Sequence, residues 1–236
     1  MADSREYPQV CPDALTQPSP GEQDRVMTTS HHSPLPLSLP DGLVRCNDGL
    51  VRPTWASHDE LIRDYYDHEW GLPVHDEVGV FECLVLEGFQ AGLSWRTVLA
   101  KRNAFRAAFR GFIPDRVAAF DNADIERILT EPGIIRNSRK IEAAITNARA
   151  TVALRSDADP NGPSHLGDLV WSYRPVQDPR PRSQEEVPTQ LPESQALAAD
   201  LKGRGFRFVG PTTMLALMAA IGIVNTDIVG THRRPA

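Results

Sequence analysis

The spacing of apolar residues predicts a chain that folds mostly as helices. In many segments apolar residues recur at intervals of three and four, which is typical of helices that bury one face. No convincing run alternates apolar and polar residues, as a half-buried strand would. The predicted inner faces carry Leu61, Ile62 and Tyr65; residues 80–86; Val98, Leu99, Phe105 and Phe109; Val117 and Phe120; Ile125, Ile128 and Leu129; Ile141, Ala144, Ile145 and Ala148; residues 166–173; and Leu197 with Leu201. The predicted fold class is all-α.

Capping residues predict where several of these helices begin. Asp59 and Ser94 are suitable N-caps, Pro114 suits a first helical position, and Asp124 is predicted to open the next helix. The sequence Pro132–Gly133 is predicted to stop that helix.

Two further boundaries follow from the same pattern. The run 80–86 is apolar almost all round, as in a helix buried within a core, and it is predicted to break at Gly88. The stripe from Val98 to Phe109 is predicted to be one helix that ends near Gly111. The Pro-rich stretch 174–192 is predicted to be an extended connector.

The first part of the chain has a different composition. Residues 1–42 are rich in Pro, Ser and Gln and lack a usable period, so we predict a disordered tail at 1–42 and a helical domain at 43–236. A short direct repeat, 41–45 and 48–52, straddles this boundary. It is too brief to be predicted as a structural unit, and only the second copy is expected to adjoin the domain.

The charge distribution is only weak evidence on whether the protein binds nucleic acid. The net charge is −6, but the first 44 residues hold six acidic and two basic residues and so account for −4 of it. Basic residues without intervening acids cluster between Trp95 and Pro114, and a second group follows residue 201. Such patches contact phosphates in some proteins and are plain solvated helix faces in others.

Cysteine usage and hydropathy bear on the compartment. Cys11, Cys46 and Cys83 are odd in number and scattered, which indicates neither a disulfide framework nor a Cys-x-x-Cys metal pair and suits a reducing compartment. No apolar run is long enough to cross a membrane, and no secretory signal is seen. We expect a cytoplasmic protein with no membrane partner.

The stretch 87–95 is the strongest candidate for a functional site. Glu87 is a carboxylate among apolar neighbours, and Trp95 falls in the first turn after the Ser94 cap. Burying a lone carboxylate is costly unless it is paired or hydrogen-bonded, so a cationic or donor-rich ligand is one interpretation. The other is a glutamate that faces solvent at the end of a helix.

Several motifs, in order, point to one family. They are 65–71 (YYDHEWG), 87–95 (EGFQAGLSW), 133–136 (GIIR), Lys140–Ile141, 147–149 (NAR), 170–172 (VWS) and 204–210 (RGFRFVG). Together they closely resemble DNA-3-methyladenine glycosylase I over about residues 52–234. The resemblance implies an all-helical member of the helix-hairpin-helix glycosylases, which remove alkylated adenine from DNA at the start of base-excision repair.

The resemblance also implies roles for particular side chains. Glu87 is the expected catalytic residue, which recognises the base and helps to orient water. Tyr65, Trp70, Trp95 and Trp55 are the expected walls of a pocket for the extruded base. Aromatic faces and a carboxylate favour a base that methylation has made cationic. Taken singly, an aromatic residue is more often part of a core than of a pocket, and only the group of them around one glutamate favours a pocket.

Asp227 and the segment 206–214 extend the predicted site. Gly210 lies where a helix-hairpin-helix turn brings backbone N–H groups to a phosphate, although such hairpins usually have two glycines. Gly92, Leu93, Gly210, Thr212 and Thr213 are the expected DNA contacts, and simple helix–turn–helix packing is the alternative for the hairpin. Asp227 is either a second carboxylate for the reaction or an ordinary polar residue.

The metal site of the resembled family is where this chain departs from it. That family holds zinc with two Cys and two His, and the corresponding positions here are Pro53, Tyr66, Asp227 and Thr231. Cys46, His68 and His232 are close in sequence but displaced from those positions, and they lack a fourth partner. We therefore predict no metal and no cofactor.

The resulting hypothesis is a monomeric, monofunctional glycosylase that acts on 3-methyladenine in double-stranded alkylated DNA. Two alternatives stay open at this point. One is a module that binds damaged DNA without cutting, and the other is a glycosylase for a different alkylated base. Release of free base would distinguish the enzyme from the binding module.

Overall fold

The computed structural model describes residues 38–156 and 162–235 and confirms a predominantly helical fold. Residues 1–37 of the predicted tail, together with residues 157–161 and 236, lie outside the described residues. Within them, one two-stranded sheet precedes ten α-helices. The elements are β1 Leu43–Arg45, β2 Val51–Pro53, α1 Glu60–His68, α2 Glu77–Gln90, α3 Trp95–Ala100, α4 Arg102–Ala108, α5 Pro114–Ala118, α6 Asn122–Thr130, α7 Ser138–Leu154, α8 Leu166–Trp171, α9 Pro192–Gly203 and α10 Pro211–Ala220.

Three of the predicted helix starts are confirmed. The Asp59 side chain accepts a hydrogen bond from the Ile62 N–H (3.1 Å) and caps α1. The Ser94 hydroxyl accepts one from the Thr97 N–H (3.2 Å) and caps α3. Pro114 occupies the first turn of α5, where its missing N–H has no helical acceptor to lose.

Three predicted boundaries are wrong. Helix α2 continues through Gly88 to Gln90, because burial on this helix outweighs the intrinsic cost of about 1 kcal/mol for a helical glycine. The stripe 98–109 forms two helices, α3 and α4, separated at Lys101. Asp121, not Asp124, caps α6 by accepting the Asp124 N–H (3.1 Å).

The prediction that the direct repeat is too brief to form a structural unit, with only its second copy adjoining the domain, is also wrong. Its two copies supply β1 and β2, which pair antiparallel with Leu43 opposite Pro53 and Arg45 opposite Val51. Three-residue strands are too short to show an alternating pattern, so the sheet was invisible to periodicity. The main-chain N–H of His232, near the C-terminus, donates to the Val51 carbonyl (2.8 Å), which ties the end of the chain to β2.

The core is built around α2 and α10. Helix α2 packs against α3, α7, α8 and α10, which explains why its sequence is apolar on nearly every side. Helices α9 and α10 pack closely and are joined by residues 204–210, called here the α9–α10 turn. The α2–α3 loop, residues 91–94, leaves α2 immediately after Gln90. None of the described helices is long and apolar enough to span a membrane.

Candidate active site

A cavity of about 420 Å³ lies beside the C-terminal half of α2. Its size falls within the range typical of small-molecule sites, about 300–1,000 Å³. Its walls come from the first residues after β2, from α2, α3 and α10, and from the Pro-rich connector. The lining residues are Trp55, Trp70, Glu87, Gln90, Trp95, Pro188, Thr189, Thr212, Leu215, Ala216, Ala219 and Thr226.

Glu87 is the carboxylate of this cavity. Its side chain is 6 % exposed, so the interpretation as a solvent-facing helix end is excluded. Burial raises the pKa of Glu87 from 4.5 to about 8, and no charged group among the described residues offsets that effect. A carboxyl group with such a raised pKa in a cleft is well placed to change its protonation state when a charged ligand enters.

Aromatic rings form the walls on either side of Glu87. The rings of Trp55 and Trp70 meet edge to face, with centroids 5.5 Å apart. Trp95 lines the cavity from the first turn of α3, and its indole Nε1 is buried without a hydrogen-bond partner among the described residues. Trp55 is 43 % exposed, so one wall is accessible from solvent.

Tyr65 takes a different position from the one expected. It does not line the cavity but packs behind Trp95, with ring centroids 5.5 Å apart. Burial, followed by the nearby charges of Cys83 and Glu87, raises the pKa of its hydroxyl. Tyr65 therefore supports the wall formed by Trp95, and it lies close enough to Glu87 for the charge of that carboxylate to affect the pKa of the Tyr65 hydroxyl.

The expected DNA contacts gather mainly at one entrance to the cavity. Gly92, with φ of 82°, and Leu93, which is 40 % exposed, are in the α2–α3 loop. A smaller cleft of about 270 Å³ places this loop opposite Thr212 and Thr213, and the cleft shares Glu87 with the main cavity.

The α9–α10 turn leads into the N-terminus of α10, which faces this entrance. Gly210 is the N-cap of α10 and Pro211 its first residue, although Gly210 lines neither cavity. Thr212 and Thr213 follow in the first turn, where main-chain N–H groups lack helical acceptors and can bind an anion.

Asp227 belongs to the C-terminal structure rather than to the cavity. It is 4 % exposed, and burial raises its pKa. Its main-chain carbonyl accepts a hydrogen bond from the Arg234 guanidinium (3.1 Å). Its side chain lies near the hydroxyl of Tyr66, and neither residue lines the cavity.

The residues at the family's zinc positions do not fit a metal. Tyr66 lies close to Asp227 and Thr231, but Pro53 offers no side-chain donor. Burial and the charge of Asp227 raise the pKa of Tyr66, which keeps its hydroxyl protonated. Across residues 38–156 and 162–235, no group of three His, Cys, Asp or Glu side chains is placed to hold a metal ion.

Arg233 ties the C-terminal segment to the end of α1 at this position. The guanidinium of Arg233 donates to the main-chain carbonyls of Tyr66 (2.5 Å) and Trp70. It also lies over the Tyr66 ring, 5.1 Å from the centroid.

Most of the basic residues clustered before Pro114 are paired with acidic residues or main-chain carbonyls of the protein itself. Arg96, Arg102 and Arg106 form ion pairs with Asp59, Glu69 and Glu82. In the later group, Arg204 pairs with Asp200 (2.8 Å), whereas the side chain of Arg207 is exposed on the α9–α10 turn. These sequence clusters therefore overstate the positive charge available to a phosphate backbone.

The sequence did not single out several residues of the cavity. Gln90 lies within the predicted stretch 87–95 but had no assigned role, and it lines both clefts. Pro188, Thr189 and Thr226 come from segments without helical periodicity, and no local signal connects them with Glu87. Only the folded chain brings them together.

Comparisons with known proteins agree with this geometry. Residues 55–234 match the family model described as methyladenine glycosylase. The chain is 44 % identical to DNA-3-methyladenine glycosylase 1 of Escherichia coli (strain K12), over 77 % of this chain and 95 % of that protein. It is 38 % identical to DNA-3-methyladenine glycosylase of Haemophilus influenzae (strain ATCC 51907 / DSM 11121 / KW20 / Rd), over 75 % of this chain and 95 % of the relative.

Solved structures show the same likeness. A crystal structure of 3-methyladenine DNA glycosylase I superposes with a TM-score of 0.72 and 43 % identity, covering 81 % of this chain and all of the other. The Staphylococcus aureus 3-methyladenine DNA glycosylase I, in a structure that addresses 3-methyladenine recognition, gives a TM-score of 0.70 and 29 % identity, covering 81 % and 97 % of the two chains.

Proposed function

The chain belongs to the methyladenine glycosylase family, and from that premise we propose how it acts as a DNA-3-methyladenine glycosylase. It is a hydrolase that breaks the N-glycosidic bond of 3-methyladenine in alkylated DNA and so initiates base-excision repair. The observation that carries the assignment of the site is a buried carboxyl group, Glu87, within a cavity walled by Trp55, Trp70 and Trp95.

The reaction begins with extrusion of the methylated nucleotide from the DNA stack. A base inside a duplex is out of reach, so the enzyme turns it into a pocket with aromatic faces. The walls formed by Trp55, Trp70 and Trp95 supply such faces. Leu93 is exposed on the α2–α3 loop, and its proposed role is to fill the space that the base leaves.

Glu87 selects the methylated base by charge. Methylation at N3 makes the base cationic while it is attached to the sugar, and a cation beside a carboxyl group favours ionisation of that group. At neutral pH the free enzyme holds Glu87 mostly protonated, because its pKa is about 8. Binding of the cationic base therefore converts a neutral carboxyl group into the carboxylate that pairs with it, and a neutral adenine lacks this interaction.

The chemical step needs little assistance once the nucleotide is in place. The bond between the sugar C1′ and the base N9 breaks, its electrons neutralise the cationic base, and the base leaves as a neutral molecule. Water adds to the cationic C1′ and loses a proton to bulk solvent, which leaves a neutral sugar hydroxyl. Glu87 orients that water, and fixed positioning of the reacting groups supplies much of the rate.

The DNA is held as a duplex at the entrance of the cavity. Gly92 and Leu93 contact it from the α2–α3 loop, while Gly210, Thr212 and Thr213 present the N-terminus of α10 to a phosphate. The protein acts as a monomer, since one chain supplies all of these groups. The proposed location of the protein is the cytoplasm.

Incubation with methylated duplex DNA, followed by chromatography of the released bases, tests this function. We expect free 3-methyladenine in proportion to enzyme and time. DNA binding without any released base would instead make the chain a binding module, and release of a different base would identify another adduct as its substrate.

A further inference from the structure

Helix α7 carries two buried polar side chains that bind the main chain of other segments. Lys140 is 8 % exposed and Asn147 is 3 % exposed. They are seven residues apart, which places them on the same face of the helix, two turns or about 10 Å along its axis. Neither residue lines the base cavity.

Lys140 binds the start of the α2–α3 loop. Its Nζ donates to the carbonyls of Phe89 (2.9 Å) and Ala91 (2.7 Å). These carbonyls lie at the C-terminus of α2, where a helix leaves its last acceptors unpaired and its dipole favours a cation. Gly92 and Leu93 follow directly after this anchor.

Asn147 binds the α9–α10 turn. Its Nδ2 donates to the Arg207 carbonyl (3.1 Å), and its Oδ1 accepts the Arg207 N–H (2.7 Å). The next residue, Phe208, is 43 % exposed and has a φ of 56°, which is unfavourable for a residue other than glycine. Surrounding structure must hold such a conformation, and the two bonds from Asn147 do so.

The two anchors belong to one packed unit. The last two turns of α2, the N-terminal part of α7 and the α9–α10 turn enclose a narrow crevice, which is lined by Gly88, Phe89, Lys140, Asn147 and Phe208, among others. Each loop is thus attached to the same rigid helix, and that attachment sets the distance between them.

We propose that Lys140 and Asn147 are positioning residues for base excision, which hold the α2–α3 loop and the α9–α10 turn in one frame as they engage DNA. The proposal rests on the glycosylase function given above. A displacement of about 1 Å in either loop misplaces the extruded nucleotide relative to Glu87, and misplacements of that size cost rates about 100-fold in enzymes.

Lys140→Met tests the first anchor, and Lys101→Met is its matched control. Lys101 also donates from Nζ to a main-chain carbonyl, that of Gly133 (3.3 Å), but outside the two loops. We expect Lys140→Met to lower kcat on methylated duplex DNA by about 10- to 100-fold. Binding of free 3-methyladenine, followed by tryptophan fluorescence, should be unchanged. Lys101→Met should leave both quantities at parental values.

Asn147→Leu tests the second anchor independently, with Thr151→Val as its control. Thr151 is fully buried one turn further along α7, and its hydroxyl donates to the Asn147 carbonyl (2.9 Å). We expect Asn147→Leu to raise KM for methylated duplex and to weaken binding of undamaged duplex, again without changing the affinity for free base. Thr151→Val should change stability alone.

Two results would overturn the positioning role. One is parental kcat and KM in both anchor variants. The other is an equal loss of free-base binding and excision, because that marks general damage to the fold. If the parent protein releases no base, the proposed function fails instead. Weaker binding of undamaged duplex by Asn147→Leu, but not by Thr151→Val, would then still support the anchor.

Discussion

Replacing Glu87 with glutamine should stabilise the protein at alkaline pH while it impairs excision. Burial raises the pKa of Glu87 from 4.5 to about 8, so between these values the folded chain keeps a proton that the unfolded chain has lost. The contribution of Glu87 to the free energy of unfolding is therefore complete below its pKa in the unfolded chain, 4.5. That contribution falls as the pH rises towards its pKa in the folded protein, about 8. Glutamine carries no proton to lose and removes this decline.

The size of the effect follows from the pKa difference. One pKa unit corresponds to about 1.4 kcal/mol, so the shift from 4.5 to about 8 gives an upper limit of about 5 kcal/mol above pH 8. Structural relaxation and water penetration reduce such penalties in proteins. A remaining gain of about 2 kcal/mol for Glu87→Gln would raise Tm by about 4–8 °C in a chain of this size.

Thermal unfolding of both proteins at pH 5 and pH 9 measures this difference. We expect similar Tm values at pH 5 and a higher Tm for Glu87→Gln at pH 9. Glu69→Gln is the matched control, because its ion pair with Arg102 lowers the pKa of Glu69 and the removal of that pair gives no alkaline gain. A Tm difference between parent and Glu87→Gln that is the same at both pH values would refute the buried, raised-pKa carboxyl group.

Three other perturbations are expected to have separable effects. The purified protein should contain no stoichiometric zinc and should keep its helicity when a chelator is added, because Pro53 and a protonated Tyr66 occupy positions where zinc ligands would be needed. Elemental analysis that finds about one zinc per chain, together with loss of zinc and helicity on chelation, would contradict this. Deleting residues 1–37 should leave Tm and base release unchanged. Deleting residues 1–42 should lower Tm, because the Gly42 carbonyl accepts a hydrogen bond from the Thr54 N–H (2.8 Å). Equal Tm values for the two truncated proteins would contradict the second expectation. Leu93→Ala should keep the parental Tm, since Leu93 is 40 % exposed, yet slow excision from duplex DNA; parental excision kinetics would show that Leu93 does not enter the DNA.

The sequence was a good guide to the helices because burial leaves an apolar stripe on most of them and a continuous apolar run on α2. Helix α2 is apolar on nearly every side, and the structure surrounds it with four other helices. Its extension past Gly88 was missed, because local propensity disfavours a helical glycine and only tertiary packing overrides that preference. The pairing of the direct repeat was missed for a related reason, since three residues are too few to show a strand pattern.

The sequence predicts those site residues whose reactive or aromatic side chains lie close together in one segment. Glu87 and Trp95 are eight residues apart, and a carboxylate with an indole in an apolar context is a strong local signal. Thr189 and Thr226 gave no such signal, because they reach the cavity through irregular segments. The contacts of Lys140 and Asn147 span 49–51 and 60 residues, so their partners could not be found from sequence spacing.

The most direct test of the whole account compares base release by the parent and by Glu87→Gln. Both proteins are incubated in excess over the same methylated duplex, and the rate of 3-methyladenine release is followed by chromatography. Loss of the charged interaction, worth roughly 1.5 to 3 kcal/mol, predicts release that is about 10- to 100-fold slower, with unchanged binding of undamaged DNA. Release at the parental rate would contradict the assignment of Glu87 as the residue that recognises the base.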